Sequence, residues 1–318
     1  MKKLIPEIIR NLKNDTPCTL AFITRVKGSS PRGAGAAMLV YPDGACGTIG
    51  GGLVEHQATI DARRGLVGLA HYSLTQKQAA GVGMVCGGNM DVCFWPLTRY
   101  TLPLWEEIER KLDEAQPVWL VMLFKDGEVA GVSAATRGRV PFYLPESALT
   151  RNAHYEKEAF FVLPVLACGH CYVFGGGHVA QQLTPLLAKL DFSPVVFEDR
   201  PEFATRELFP DAQNIILGDF SNLELDITAD DQCVIMTRGH VYDQRLLSQV
   251  LRTPANYIGL IGSRGKIAHT KSLLFEEGFT QSDFDRVHTP IGLDIKAQTP
   301  IEIAVSIAAE MILHRAQL

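Results

Sequence analysis

One stretch constrains the fold more than any other. Residues 171–190, CYVFGGGHVAQQLTPLLAKL, place an apolar strand, three glycines and an amphipathic helix in immediate succession. Gly175, Gly177 and Ala180 satisfy the G-x-G-x-x-A spacing of a dinucleotide-binding turn. Gly175 permits the tight turn, Gly177 lets an anion approach the backbone, and Ala180 keeps the helix close to the sheet. His178 opens the helix, whose first amides carry a partial positive charge and suit a phosphate. The next apolar strand ends in Glu198-Asp199-Arg200, so two acids fall where a carboxylate holds ribose hydroxyls.

Downstream, strand candidates at 194–197, 214–217, 232–237 and 257–261 alternate with helices. That pattern predicts an α/β Rossmann-type domain, a doubly wound parallel sheet. Ligands of such sheets sit beyond the C-terminal strand ends, which makes Arg238, His240, Gly262, Ser263 and Arg264 candidate cofactor contacts. Lys266 follows in the first turn of a helix, where with Arg264 it can add charge near a phosphate, while Asp243 lies close to His240 and pairs with it in one reading. The last helix carries a start signal, Thr299-Pro300 with Glu302 three residues after the cap.

The first half reads differently, as an α+β region with glycine-rich loops. An amphipathic helix over 1–14 precedes strands at 18–26, 36–41 and 45–49, and a helix is expected from Leu53 to Leu69. Further strands are expected at 71–75, 90–97, 118–125 and 129–135, with a helix at 104–114. The loops Gly28–Gly35 and Gly47–Gly52 flank a hairpin and can converge, offering amides of Gly51 and Gly52 with Arg32 and Thr48 to an anion. A third loop, GVGMVCGGN at 81–89, sets Cys86 before two glycines. A thiolate there is a soft metal ligand and a nucleophile; the plain alternative is a set of tight turns around a buried thiol. The pattern changes within 152–166, giving an N-terminal domain 1–165 and a C-terminal domain 166–318.

Bulk properties narrow the function classes. A chain of 318 residues is long enough for two cores. Its net charge of -5 argues against a nucleic-acid or anionic-membrane surface, both of which need a broad basic field. The N-terminus lacks the unbroken apolar run of a signal peptide, and no stretch has the length of a membrane span. Seven cysteines, an odd number, fit reduced thiols in a cytoplasmic protein. Cys168 and Cys171 form a C-x-x-C that reads as a fortuitous pair at a strand edge or, less simply, as a redox or metal pair.

Taken together, the motifs resemble the XdhC/CoxI family of accessory factors for xanthine dehydrogenase and related molybdenum hydroxylases. The resemblance is carried by GSSPRGAG at 28–35, GTIGGG at 47–52 with Glu55, MVCGG at 84–88, the turn at 174–180 and EDRPEF at 198–203. It continues in Gly239-His240 with Asp243, YIGLIGSR at 257–264 and PIGLD at 290–294. It implies a maturation chaperone that binds molybdenum cofactor, supports its sulfuration with a cysteine desulfurase and delivers it to an apo-hydroxylase, with homodimers expected. Because ligands of such sheets sit beyond the strand ends, the phosphate end is expected at Gly175, Gly177 and His178 in a cleft between the two domains, with the metal end facing the first domain and Cys86 as the candidate that contacts it or relays sulfur. Arg238 departs from the family pattern and favours a phosphate or an acidic partner. Competing classes are an NAD(P)-dependent oxidoreductase, for which no Tyr-x-x-x-Lys pair is found, and a nucleotide-sensing module.

Overall fold

The computed structural model describes residues 1–73, 88–142, 144–156, 159–166 and 168–317, with the backbone alone at 240–241. The chain divides into two compact units, Met1–Ala167 and Cys168–Leu318.

The first unit opens with helix α1 (Ile5–Lys13), which buries Ile5, Ile8, Ile9 and Leu12 along one stripe. The apolar run that follows becomes β1 (Cys18–Lys27), buried from Cys18 through Thr24. A strand covered on both faces belongs in the middle of a sheet. β1 indeed pairs antiparallel with β2 (Ala37–Tyr41) on one side and β5 (Asn89–Leu97) on the other. β3 (Gly44–Gly47) and β4 (Gly68–Ser73) complete a five-stranded sheet in the order β3-β2-β1-β5-β4.

Between β3 and β4 runs α2 (Gly52–Arg63), shorter than the sequence suggests. Gly65, with φ 82°, takes the left-handed conformation just past the helix end and stops it, so residues 68–69 join a strand instead. Helix α3 (Leu102–Asp113) leads into the hairpin β6 (Val118–Lys125) and β7 (Glu128–Ala135), whose turn residues Asp126 and Gly127 both have positive φ, 52° and 82°.

β8 (His154–Glu156) and β9 (Phe160–Leu166) extend this hairpin into a sheet ordered β7-β6-β9-β8. These two strands occupy the stretch that composition alone marks as a boundary. Pro164 sits at the register shift opposite Val118 and Trp119, where a lost ladder bond is tolerated, while Phe161 and Val162 are fully buried.

The second unit is a six-stranded sheet of β10 (His170–Phe174), β11 (Ser193–Glu198), β12 (Asn214–Leu217), β13 (Gln232–Ile235), β14 (Tyr257–Leu260) and β15 (Val287–His288). Every pairing is parallel, in the order β12-β11-β10-β13-β14-β15. That is the 3-2-1-4-5-6 order of the Rossmann fold, with its switch point between β10 and β13. Helices α4 (His178–Lys189) and α8 (Pro300–Gln317) pack together. Leucines of α5 (His240–Leu251) and α6 (Arg264–Glu276) close the core that contains Phe174, Ile235 and Leu260. A short α7 (Gln281–Phe284) precedes β15. At the start of α8, Glu302 accepts the Thr299 amide at 2.9 Å, as the sequence signal predicts.

Candidate functional site

The turn after β10 shows why its glycines differ. Gly175 has φ 107°, and a Cβ there would lie 2.6 Å from the Met236 carbonyl oxygen, so no other residue fits. Gly177 has φ -70° and is the N-cap of α4; a Cβ there meets nothing within 4 Å. A side chain at Gly177 would therefore meet open space, so packing does not require glycine here. Ala180 is fully buried, as close helix packing requires. The first turn of α4 carries no acid, and its first intrahelical bond is Gln181 N–H to Gly177 O at 3.1 Å. Its positive end faces outward at Gly177 and the exposed His178.

Gly176 behaves otherwise. Its amide donates to Glu198 Oε2 at 2.5 Å, a bond across 22 residues. Glu198 is 1% exposed and also accepts from the Asp199 and Arg200 amides, both at 3.1 Å, and from Arg200 Nε and Nη2 at 2.8 and 3.0 Å. Burial by itself raises this carboxyl, but the bonds from Arg200, Asp199 and the backbone amides outweigh it and hold the pKa at about 2. Of the two acids that the spacing offers to ribose hydroxyls, Glu198 is filled by its own chain.

Its neighbour Asp199 is shifted the opposite way, upward, by burial and by the adjoining Glu198 carboxyl. Asp199 Oδ2 receives Arg238 Nη2 at 3.2 Å. Arg238 leaves from the end of β13 and Asp199 from the end of β11, and β10 lies between those strands, so the pair crosses the end of β10. Arg238, expected to favour an external anion, has found one within the chain. Half of its side chain is exposed.

Further along the sheet, Asp243 in the first turn of α5 is completely buried. It accepts from Thr237 N at 3.1 Å and Thr237 Oγ1 at 2.5 Å, and pairs with Lys266 Nζ. Lys266, expected to add charge for a phosphate, instead neutralises this carboxylate. Asp243 thus serves Thr237 and Lys266; His240 begins α5, and its side chain is not among the described parts. Gly262 approaches the Lys266 stem, since a Cβ there would lie 3.2 Å from Lys266 Cδ. Ser263 caps α6, its Oγ accepting the Lys266 amide at 3.4 Å, and Arg264 is exposed at the helix start. Gly262, Ser263 and Arg264 border a cavity of about 680 Å³ whose other wall is the segment 290–297. Neither the glycine turn nor Arg238 lines it.

In the first unit the glycine loops do converge. A Cβ on Gly88 would fall 2.2 Å from Ser29 O, and one on Gly50 3.2 Å from Pro31, so the 28–35 loop touches both of the others. The Gly47–Gly52 amides, however, already hold an anion. Glu55, one turn into α2, accepts from Thr48 Oγ1 at 2.6 Å, Ile49 N at 2.9 Å and Gly51 N at 3.0 Å. Burial raises its carboxyl, but Thr48 and the amides of Gly51, Ile49 and Gly50 win and lower it overall. Arg32 and Gly52 are exposed beside this turn. Cys86 lies outside the described residues.

Cys168 and Cys171 are both buried, and burial, then the Cys168 sulfur and Asp231, pushes the Cys171 thiol far up. The thiolate needed for redox or metal chemistry is thereby disfavoured. Among the described residues no group of three or more His, Cys, Asp or Glu is placed to hold a metal ion, and no helix is long and apolar enough to cross a membrane.

Residues 171–311 match the XdhC Rossmann domain, and residues 12–72 match the XdhC and CoxI family. Each unit of the chain thus matches a model of the XdhC and CoxI proteins. It is 28% identical to a protein of Bacillus subtilis (strain 168) named as a probable xanthine dehydrogenase subunit, across 96% of this chain and 95% of that protein. It is 23% identical to "Molybdenum cofactor insertion chaperone PaoD" of Escherichia coli (strain K12), across 95% and 85%. A crystal structure of a xanthine dehydrogenase from Bacillus halodurans superposes with a TM-score of 0.79 at 26% identity, covering 98% of this chain and 96% of that one.

The structure gathers Gly175, Gly177, His178, Asp199, Arg238 and Gly262 to Arg264 beyond the C-terminal strand ends of the second sheet. Arg32, Gly51 and Gly52 gather at one end of the first. Two features escaped sequence reasoning. Arg200 as the partner of Glu198 was hidden because a charged residue after a strand reads as solvated surface. Glu55 as the filler of the glycine turn was legible in principle, since an acid one turn into a helix caps its N-terminus.

Proposed function

We propose that this protein carries molybdenum cofactor as cargo, supports its sulfuration and hands it to an apo molybdenum hydroxylase of the xanthine dehydrogenase kind. The observation that carries the reading is the positive end of α4: a side chain at Gly177 would meet nothing within 4 Å, and no acid lies in the first turn of the helix itself. A phosphate group on the cargo fits there, bound by the amides of Gly177 and His178. Relatives named for xanthine dehydrogenase and for cofactor insertion support the choice of cargo. A cysteine desulfurase supplies the sulfur in this scheme, Cys86 is the candidate that meets it, and the working unit is a homodimer in the cytoplasm.

The NAD(P) alternative shares the fold, but of its two candidate ribose acids Glu198 is committed to Gly176 and Arg200, which leaves that role to Asp199 alone.

The test is retention of cargo. Protein purified from cells that make the cofactor is assayed for molybdenum, phosphate and pterin absorbance. Gly177→Val, at a position with room and an ordinary φ, is expected to keep the fold by circular dichroism and lose retention. Retention equal to the parent refutes the placement. Cys86→Ser is expected to retain cargo yet lower the activity of the matured hydroxylase; full maturation by that variant removes the thiol from the scheme.

A further inference from the structure

The five-stranded sheet of the first unit runs further than the helix laid across it. Val54, Ala58 and Ala62 of α2 pack on Met38, Ala21 and Phe94, a row that crosses β2, β1 and β5. Residues two apart on a strand share a face, so the next row on that face is Val40, Thr19 and Pro96. The helix stops short of covering it, because α2 ends at Arg63 and Gly65 turns the chain away. What is left between the helix end and that row is a cavity of about 470 Å³, within the roughly 300–1,000 Å³ of small-molecule sites.

Pro17, Pro42 and Pro96, with Val40 and Leu97, give the cavity apolar walls. Rigid proline rings suit a flat ligand body better than a flexible one. Cys18 adds an uncharged thiol, since burial and then the neighbouring Cys46 push it up to about 11. Thr19 also lines the cavity and is only 8% exposed, yet its hydroxyl makes no hydrogen bond among the described residues. A buried hydroxyl without a partner carries a desolvation cost, which a polar group on a ligand would remove. Arg63 also lines the cavity and is exposed; its Nη2 reaches Gly44 O of the β2–β3 turn at 3.4 Å. It meets no carboxylate among the described residues, so most of its N–H groups remain for an anion. The helix-end carbonyls of Ile60, Asp61 and Ala62, which would repel an anion, are taken by the amides of Arg64, Leu66 and Gly65, each at 3.0 Å.

We infer that this cavity binds a small aromatic carboxylate: the ring lies against the prolines and Val40, a polar group on the ring meets the Thr19 hydroxyl, and the carboxylate pairs with Arg63. The site stands apart from the cargo reading, since neither the second unit nor the glycine turns of the first contribute to it.

Calorimetric titration of the full chain with 4-hydroxyphenylacetate, and separately with tyramine, which carries an ammonium in place of the acid, tests it. The acid is expected to bind about tenfold or more tighter than the amine, the difference one charge-assisted hydrogen bond makes. Arg63→Gln, at an exposed position that leaves the fold intact, is expected to weaken binding of the acid about tenfold and leave the amine unaffected. The other end of the ligand is read on the parent protein: phenylacetate, which lacks the ring hydroxyl, is expected to bind about fivefold more weakly. Thr19→Val is expected to erase that difference with an unchanged melting temperature. No saturable binding of the acid, an amine that binds as tightly, or a folded Arg63→Gln with parental affinity each overturns the inference. Equal affinity of the parent for the two acids overturns it as well, whether or not Thr19→Val folds.

Discussion

The glycine turns of the two units close on carboxylates in different ways. In the first unit the acid comes from the helix that the turn begins: Glu55 is one turn into α2 and partly open to solvent. In the second it comes from the neighbouring strand: Glu198 is buried and reaches Gly176 from 22 residues away. The first is a local cap that an incoming anion can displace. The second is a piece of the core, which no ligand removes without unfolding its surroundings. Glycine-rich loops alone therefore do not tell a ligand cradle from a self-filled one; the source of the nearest carboxylate does.

That contrast can be broken from either side. Glu198→Ala strands Arg200 and the Gly176 amide without their anion, and is expected to cost about 3–5 kcal/mol, read as a lower urea midpoint for the second unit. A loss below about 1 kcal/mol, the range of exposed ion pairs, makes Glu198 as dispensable as a surface cap. Its acid dependence has a defined sign. The folded pKa of about 2 lies below the ordinary 4.5, so the stabilisation is complete above about pH 4.5 and is lost as pH falls through that window towards 2. Glu198→Gln should flatten this part of the stability curve, and an unchanged acid limb contradicts the assignment.

Gly175→Ala comes next, at about 1–3 kcal/mol for the left-handed backbone, with a further penalty from the contact with Met236 O. Beside Gly177→Val, which is expected to keep the fold and lose retention, it separates glycine required by backbone from glycine required by access. Glu55→Ala is expected to cost only about 1 kcal/mol, the usual value of a helix cap, measured on the first unit's transition. Arg238→Gln is the smallest, within about 1 kcal/mol for an exposed ion pair; a larger loss shows that the pair across β10 is structural.

Much of the second unit was legible because its signals are local. Strand, glycines, helix and second-strand acid follow one another within thirty residues, and backbone geometry dictates each. The candidate site was legible as a place and less so as a set of partners. Arg238 and Lys266 read from sequence as cations awaiting an anion and Arg200 as solvated surface, yet each meets a carboxylate that the fold brings to it. Such pairings depend on which strand ends adjoin, and strand order is not written in the spacing of motifs. The β8–β9 stretch was missed because Pro164 and the polar residues before it imitate a linker, although its apolar run 160–163 pairs fully with β6.

The Asp199–Arg238 pair also bears on the energetics of loading. Burial first, and then Glu198 beside it, raise the Asp199 carboxyl above an ordinary aspartate, and Arg238 is the first of the charges opposing that rise. A phosphate that draws the guanidinium to itself removes that opposition, and the carboxylate left behind binds hydrogen ion more strongly still. Loading should then be accompanied by net proton uptake, visible as a heat of binding that changes with the ionisation enthalpy of the buffer, and should strengthen as the solution is acidified.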